Sequence, residues 1–312
     1  MTVNLTIITP TYNEEESIVR CIQAVKRMMS NDLPALSYEH IVIDNYSTDG
    51  TVALIDALCI EDSNLKLIVN GRNIGATRSI YRAMARAQGE WVIPMLAADL
   101  QDPVEAIPKM YAKIKSGVNV VYGVRTNRQE SLIMRTLRSV YYRLIRRFSE
   151  SDIPINVGDF SLIHSDVSKA IVALDDQYPY VRGLIAQSAS KVDYVPYRWA
   201  KRASGKSKSK PLVLIDVAIS GMVSTTQIPA RIALIVGFIT STLGFGAGLV
   251  YLGLTLSGLS SAPPGIPTIV VSMFTLMGMQ LFFLGLIGEY VLSIHRQIKR
   301  EPISPILLEK NF

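Results

Sequence analysis

Apolar residues recur along this chain in two different ways, and the change from one to the other divides it. Up to about residue 125, short apolar runs alternate with stretches in which apolar positions return every three or four residues. Leu5-Thr6-Ile7-Ile8, His40-Ile41-Val42-Ile43, Leu65-Lys66-Leu67-Ile68-Val69, Trp91 to Leu96, and Asn119-Val120-Val121-Tyr122-Gly123 read as strands. Ile18, Ile22 and Val25 share one helical face, and Thr77 to Ala87 reads as a further helix. Strands alternating with helices predict an α/β fold with a largely parallel sheet covered on both faces.

Beyond residue 230 the apolar positions run together. Ile232 to Leu256 and Ile266 to about residue 290 each exceed the ~20 residues that cross a bilayer core. The expected organisation is a domain over 1–229 and a two-helix transmembrane hairpin with a short tail over 230–312. Arg231 precedes the first span, and His295, Arg296, Lys299 and Arg300 follow the second, whereas Ser257 to Gly265 is uncharged. The positive-inside rule then places both ends, and the whole N-terminal domain, in the cytosol, as a multi-pass protein of the cytoplasmic membrane. Residues 1–10 show no basic region followed by a long apolar segment, so no cleavable signal peptide is expected.

Two further stretches carry apolar residues at helical spacing beside the bilayer. Over 131–148, Ile133, Leu137, Val140, Tyr141, Leu144, Ile145 and Phe148 recur among Arg135, Arg138, Arg143, Arg146 and Arg147. A basic amphipathic helix of this kind can lie in the headgroup layer, although a core-packed helix with a solvated face has the same pattern. A second interfacial helix is expected over 211–224. Composition agrees with this placement. Of 312 residues 49% are hydrophobic, mean hydropathy is +0.26, and the net charge of +6 gathers near the membrane-facing segments. That distribution points to anionic lipid and phosphate ligands and not to nucleic acid. Cys21 and Cys59 have no metal-type spacing and fit a reducing compartment.

The candidate chemistry sits where strands end. Ligands of open α/β sheets bind outside the carboxyl ends of the strands. Here those ends run into Thr9-Pro10-Thr11-Tyr12-Asn13-Glu14-Glu15, Asp44-Asn45-Tyr46-Ser47-Thr48-Asp49-Gly50-Thr51, Asn73-Ile74-Gly75 and Ala97-Ala98-Asp99-Leu100-Gln101-Asp102-Pro103. Asp99 and Gln101 offer hard oxygen ligands suited to Mg²⁺ or Mn²⁺ carrying a diphosphate. A carboxylate placed as Asp44 is can accept from a base N–H or a ribose hydroxyl. Gly75 suits a close backbone approach at a helix start. The plain alternatives are an ordinary loop exit at Asp99 and a helix cap at Ser47, Thr48 and Asp49.

These four segments, in this order and spacing, resemble family 2 inverting glycosyltransferases of the GT-A fold. More narrowly, with the membrane hairpin, the chain resembles the polyprenyl-phosphate glycosyltransferases: relatives of dolichyl-phosphate mannose synthase and the bactoprenol glucosyltransferases. The resemblance runs from residue 5 to about 208 and on into the spans. It implies a Rossmann-like nucleotide-diphospho-sugar domain. In it Pro10, Tyr12, Glu14, Asp44 and Asn45 form the nucleoside pocket, with Asn73, Gly75 and Ala98 on the donor side. Asp99 and Gln101 serve the metal and diphosphate, and Arg125 and Arg128 the phosphates. In the late basic segment Arg202 and Lys208 are the matching cations, and Asp159 stands at the position of a candidate catalytic base. A polyprenyl phosphate acceptor, a nucleotide-sugar donor and a homo-oligomer are implied as partners.

Two residues depart from the family pattern. The first position of the usual Asp-x-Asp is Ala97, leaving Asp99 as its only carboxylate, and the usual Asp-Asp pair is Asp44-Asn45. The base role of Asp159 is also weak on chemical grounds, because a phosphate monoester with a second pKa of about 6 is already largely dianionic at neutral pH. Three rival readings share these residues: a processive polysaccharide synthase, a glycosyltransferase with a glycan or protein acceptor, and a non-catalytic scaffold. The synthase would need more spans, and its usual Gln-x-x-Arg-Trp is here Val195-Pro196-Tyr197-Arg198-Trp199. The expected activity is metal-dependent transfer of a sugar, glucose from UDP-glucose or a related donor, to polyprenyl phosphate.

Overall fold

The computed structural model describes residues 3–114, 117–126, 157–176, 179–199, 266–298 and 304–312, with isolated positions 235, 236, 239, 242 and 257. Two compact units divide the chain: Met1–Lys210 with Arg300–Phe312, and Pro211–Lys299. The first opens β1 (Leu5–Thr11), α1 (Ile18–Asp32), β2 (Tyr38–Asp44), α2 (Thr51–Glu61), β3 (Leu65–Asn70), α3 (Ala76–Met84) and β4 (Trp91–Ile93). It continues with α4 (Ile107–Lys113), β5 (Val120–Thr126), β6 (Val157–His164), α5 (Ser165–Ala173), α6 (Val181–Ser188) and β7 (Val192–Arg198). After the second unit's α7 (Ile266–Ile298), the chain returns as β8 (Ile306–Lys310).

One eight-stranded sheet runs in the order β7-β5-β6-β4-β1-β2-β3-β8. The β4-β1-β2-β3 half is parallel throughout, in register from Leu5 opposite Tyr38 and Trp91. These strands are near-continuous apolar runs because both faces are buried. Leu5, Ile7, Trp91 and Ile93 pack on one face against Cys21, Val25 and Met29 of α1 and Ile107 and Met110 of α4. Val42, Leu65 and Leu67 meet Ile18, Ile22 and Ile55 of α1 and α2. Ile8, Ile41, Ile43, Ile68 and Val92 face Ile80 of α3, Val167 and Ile171 of α5, and Ile185 of α6.

The sheet is less parallel than expected. β6 runs antiparallel between β4 and β5, and β8 runs antiparallel along β3. The fourth strand is also shorter, ending at Ile93. Pro94 has no N–H to give the ladder, yet the chain stays beside β1, since Leu96 N donates to Ile8 O at 2.8 Å.

In the second unit α7 is one helix of 33 residues, about 50 Å long at 1.5 Å per residue. Ile269, Leu276, Leu281, Leu284, Ile287, Val291 and Ile294 present exposed apolar side chains along it. Taken over the described residues alone, no helix is long and apolar enough to cross a membrane. Several α7 side chains fall outside that set, and the second span is an expectation from the sequence alone. The interfacial helices of 131–148 and 211–224, the 232–256 span beyond its isolated positions, and Arg128, Arg202 and Lys208 lie outside the described residues.

Candidate active site

Loops from four parallel strand ends build the site, and hydrogen bonds lace the first two together. Asn45 N donates to Thr11 O at 2.9 Å, extending the β1–β2 pairing one residue past the strand. Asn13 N donates to Ser47 Oγ and Glu14 N to Thr51 Oγ1, at 2.8 and 2.9 Å, while Asn13 Oδ1 accepts from Thr48 N at 2.8 Å. Glu14 accepts from Ser17 Oγ at 2.6 Å, next to the start of α1. Tyr12 and Tyr46, the second of which the sequence reading passed over, expose their rings on these adjoining loops. Among the described residues, five non-glycine residues take positive φ, and three head these loops: Asn13 (53°) after β1, Tyr46 (69°) after β2 and Leu100 (57°) after β4. Strained backbone gathered at one end of a sheet marks a place where geometry is over-determined for function.

Asp44 is fully buried, and its carboxylate is engaged within the protein. It accepts from Ser47 N at 2.8 Å, Ser47 Oγ at 2.5 Å and Thr11 Oγ1 at 3.2 Å. The carboxylate thus braces the loop after β2 from beneath. Asn45 joins the second loop to the third: Oδ1 accepts from Ile74 N at 2.9 Å, and Nδ2 donates to Asn73 Oδ1 at 2.8 Å. Asn73 Oδ1 also takes the N–H of Gly75, whose φ of 84° admits glycine readily and a side chain poorly. The departure from Asp-Asp thus has a local cause, because an ionised carboxylate in place of Asn45 could not donate to Asn73.

At the third corner, Ala98 is buried and Asp99 and Gln101 are half-buried, with Asp99 Oδ1 accepting from Gln101 N at 3.1 Å. Among the described residues no group of three His, Cys, Asp or Glu side chains converges on a metal position. The donor set is one carboxylate and one amide oxygen two residues apart. Such a set fits a small hard cation that keeps waters and draws its other ligands from a diphosphate, and does not fit an all-protein cage.

The fourth corner was only half legible. Arg125, on β5, lies beside the buried Asp102, with Nη2 at 3.2 and 3.4 Å from its two oxygens, and its Nε donates to Tyr197 Oη at 3.0 Å. Burial pushes the Asp102 carboxyl above its usual value while Arg125 and Tyr197 pull it back. Burial likewise works against the Arg125 charge, but Asp102 and Tyr197 outweigh it and hold the guanidinium above its ordinary range. Asp159, on β6, makes a bidentate pair with Arg182 of α6, both bonds 3.1 Å. Neither Asp102 nor Arg182 carried a sequence signal of its own. Asp102 passed as part of the loop exit, and Arg182 lies 23 residues from its partner.

Polar side chains gathered over the carboxyl ends of parallel strands stand where open α/β sheets bind their ligands. A family profile described as glycosyl transferase family 2 matches residues 6–172. An uncharacterized glycosyltransferase of Bacillus subtilis is 31% identical over 302 residues, 96% of this chain and 92% of that protein. A prophage bactoprenol glucosyl transferase homolog of Escherichia coli is 28% identical over 299 residues, 96% of each chain. An undecaprenyl-phosphate 4-deoxy-4-formamido-L-arabinose transferase of Aeromonas hydrophila is 29% identical over 304 residues, 96% of this chain and 91% of that protein. The chain belongs to glycosyl transferase family 2 and is a glycosyltransferase.

Proposed function

We propose that the protein transfers a sugar, glucose from UDP-glucose or a closely related donor, to a polyprenyl phosphate at the cytosolic face of the cytoplasmic membrane. The observation that carries this reading is the extent of the similarity. The match to the bactoprenol glucosyl transferase homolog covers 96% of both chains, so it takes in the apolar second unit as well as the nucleotide-binding domain. The exposed apolar side chains of α7 and the basic flank at residues 295–300 support placement in a membrane with the first unit on the cytosolic side.

In this reading Tyr12, Glu14, Asn45, Asn73 and Gly75 bind and orient the nucleoside half of the donor, with Asp44 beneath them. Asp99 and Gln101 would hold Mg²⁺ or Mn²⁺, which would supply charge neutralisation for the diphosphate. The acceptor phosphate oxygen attacks the anomeric carbon as the bond to the diphosphate oxygen breaks, with inversion. Arg125, and from the stretches beyond the described residues Arg128, Arg202 and Lys208, bind phosphate oxygens and stabilise the charge arriving on the leaving group. Asp159, paired with Arg182, orients a cation near the acceptor; the acceptor needs little deprotonation.

The test is transfer of labelled sugar from a panel of UDP- and GDP-sugars to short-chain polyprenyl phosphate in detergent, with and without chelator. Product from one donor, abolished by chelation and by Asp99→Asn, is the expected result. No product from any donor, alongside an active relative, would overturn the acceptor assignment. Full activity of Asp99→Asn would overturn the metal role.

A further inference from the structure

A buried charged group at this end of the sheet is not one the reaction calls for. Asp102 is 2% exposed, and it stands directly after the donor pair Asp99 and Gln101. Its Oδ1 accepts from Tyr197 Oη at 2.5 Å, and its two oxygens face Arg125 Nη2. With the Arg125 Nε bond to the same Tyr197 hydroxyl, the three side chains close a triangle. Phe160 holds the Tyr197 ring edge-on, centroids 5.4 Å apart and planes at 81°. The Trp199 ring lies 5.1 Å from Arg125 Cζ. Gly158 abuts the same guanidinium so closely that a Cβ there would stand 2.9 Å from Cζ, Nε and Nη2. The loop after β4 and the strands β5, β6 and β7 thus each contribute to fixing one half-buried arginine.

A buried ion pair is weak evidence for stabilisation, since desolvation offsets most of the attraction. Orientation is what such a cage supplies. Guanidinium is planar, so holding Nε and Nη2 sets the direction of the whole fork.

We propose that Asp102 and Tyr197 are positioning residues that aim Arg125 at a phosphate oxygen of the donor or acceptor. The proposal rests on Arg125 as a phosphate ligand in the function above, and it makes a prediction whose sign separates it from simple electrostatics. Asp102→Asn removes a negative charge beside an anion site. Electrostatics alone then gives tighter anion binding, whereas loss of aim gives weaker binding. Tyr197→Phe changes no charge and breaks both bonds of the hydroxyl.

The chain has two tryptophans, so Trp91→Phe in the full-length protein leaves Trp199 as the reporter beside Arg125. Titration with inorganic pyrophosphate in the presence of chelator should change Trp199 emission. Asp102→Asn and Tyr197→Phe should each raise the half-saturating concentration about 10-fold and lower kcat for sugar transfer between about 10- and 100-fold, the range for a misplaced catalytic contact. In an Arg125→Lys background, Asp102→Asn should add less than about 3-fold, because it acts through the fork. Tighter or unchanged pyrophosphate binding in both variants, or no response in the parent, would overturn the proposal. Should Asp102→Asn lower the melting temperature sharply, Tyr197→Phe decides. A normal pyrophosphate response from a protein that glycosylates no polyprenyl phosphate would sink the acceptor assignment while leaving the positioning role supported.

Discussion

Asn45 occupies a position where one amide must do two opposite things: it accepts from the Ile74 backbone and donates to the Asn73 side chain. Asn45→Asp keeps the shape and the acceptor but sets two acceptors against each other near the donor loop. With about 1–2 kcal/mol lost at such a contact, KM for the nucleotide sugar should rise roughly 10-fold with kcat nearly unchanged. Steady-state kinetics of this variant checks it. A second residue ties stability to pH. His40 is fully buried against Thr9 Oγ1, and desolvation, only partly opposed by Asp62, lowers its pKa from 6.5 to about 4. The ring is neutral in the fold, so its contribution is complete above pH 6.5 and is lost as pH falls toward 4. Between pH 7.5 and pH 5 it should remove about 2 kcal/mol of folding stability. Thermal melts of the wild type should show that slope, and His40→Gln should show it reduced. The site at this scale was legible where one residue ends an apolar run, as Asp44 and Asp99 do. It was illegible where a loop residue pairs with a distant strand, as Asp102 does with Arg125, 23 residues on.

At the scale of elements, the parallel half of the sheet could be read from sequence because burial on both faces leaves uninterrupted apolar runs. The missed strands break that pattern for identifiable reasons. β6 contains Gly158-Asp159, a backbone contact and an ion pair set inside a strand. β7 contains Pro196, which an edge strand tolerates, and alternates exposed with buried residues. β8 is five residues long and lies far from β3 in sequence. Its attachment reaches the donor loops. Arg82 of α3 donates Nη2 to Ser304 O and Nη1 to Asn70 Oδ1, at 2.6 and 2.5 Å, and Asn70 Nδ2 in turn faces Asn45 Oδ1 at 3.5 Å. Lys310 pairs with Asp56, and Asn311 Nδ2 donates to the carbonyls of Cys59 and Leu65, both at 2.8 Å. Deleting 304–312 should uncover the β3 edge and remove these bonds together. We expect a fall of more than about 4 °C in melting temperature and weaker donor binding. Arg82→Ala should reproduce the binding defect with a smaller loss of stability, and calorimetry with nucleotide titration separates the two.

The whole molecule joins a glycosyltransferase domain to an apolar segment. The uncharged stretch 257–265 and its basic flanks predict that Ser260→Cys is labelled by an impermeant reagent only from outside the cell. Labelling only from the cytosol would overturn the orientation. The tail adds a constraint of a different kind. Because β8 is hydrogen-bonded into the same sheet as β1 to β7, the chain on both sides of Pro211–Lys299 occupies one compartment. Whatever number of times that segment crosses a bilayer, the number is even. A single crossing would tear the last strand from its sheet, so parity is written into the fold independently of where the lysines and arginines fall.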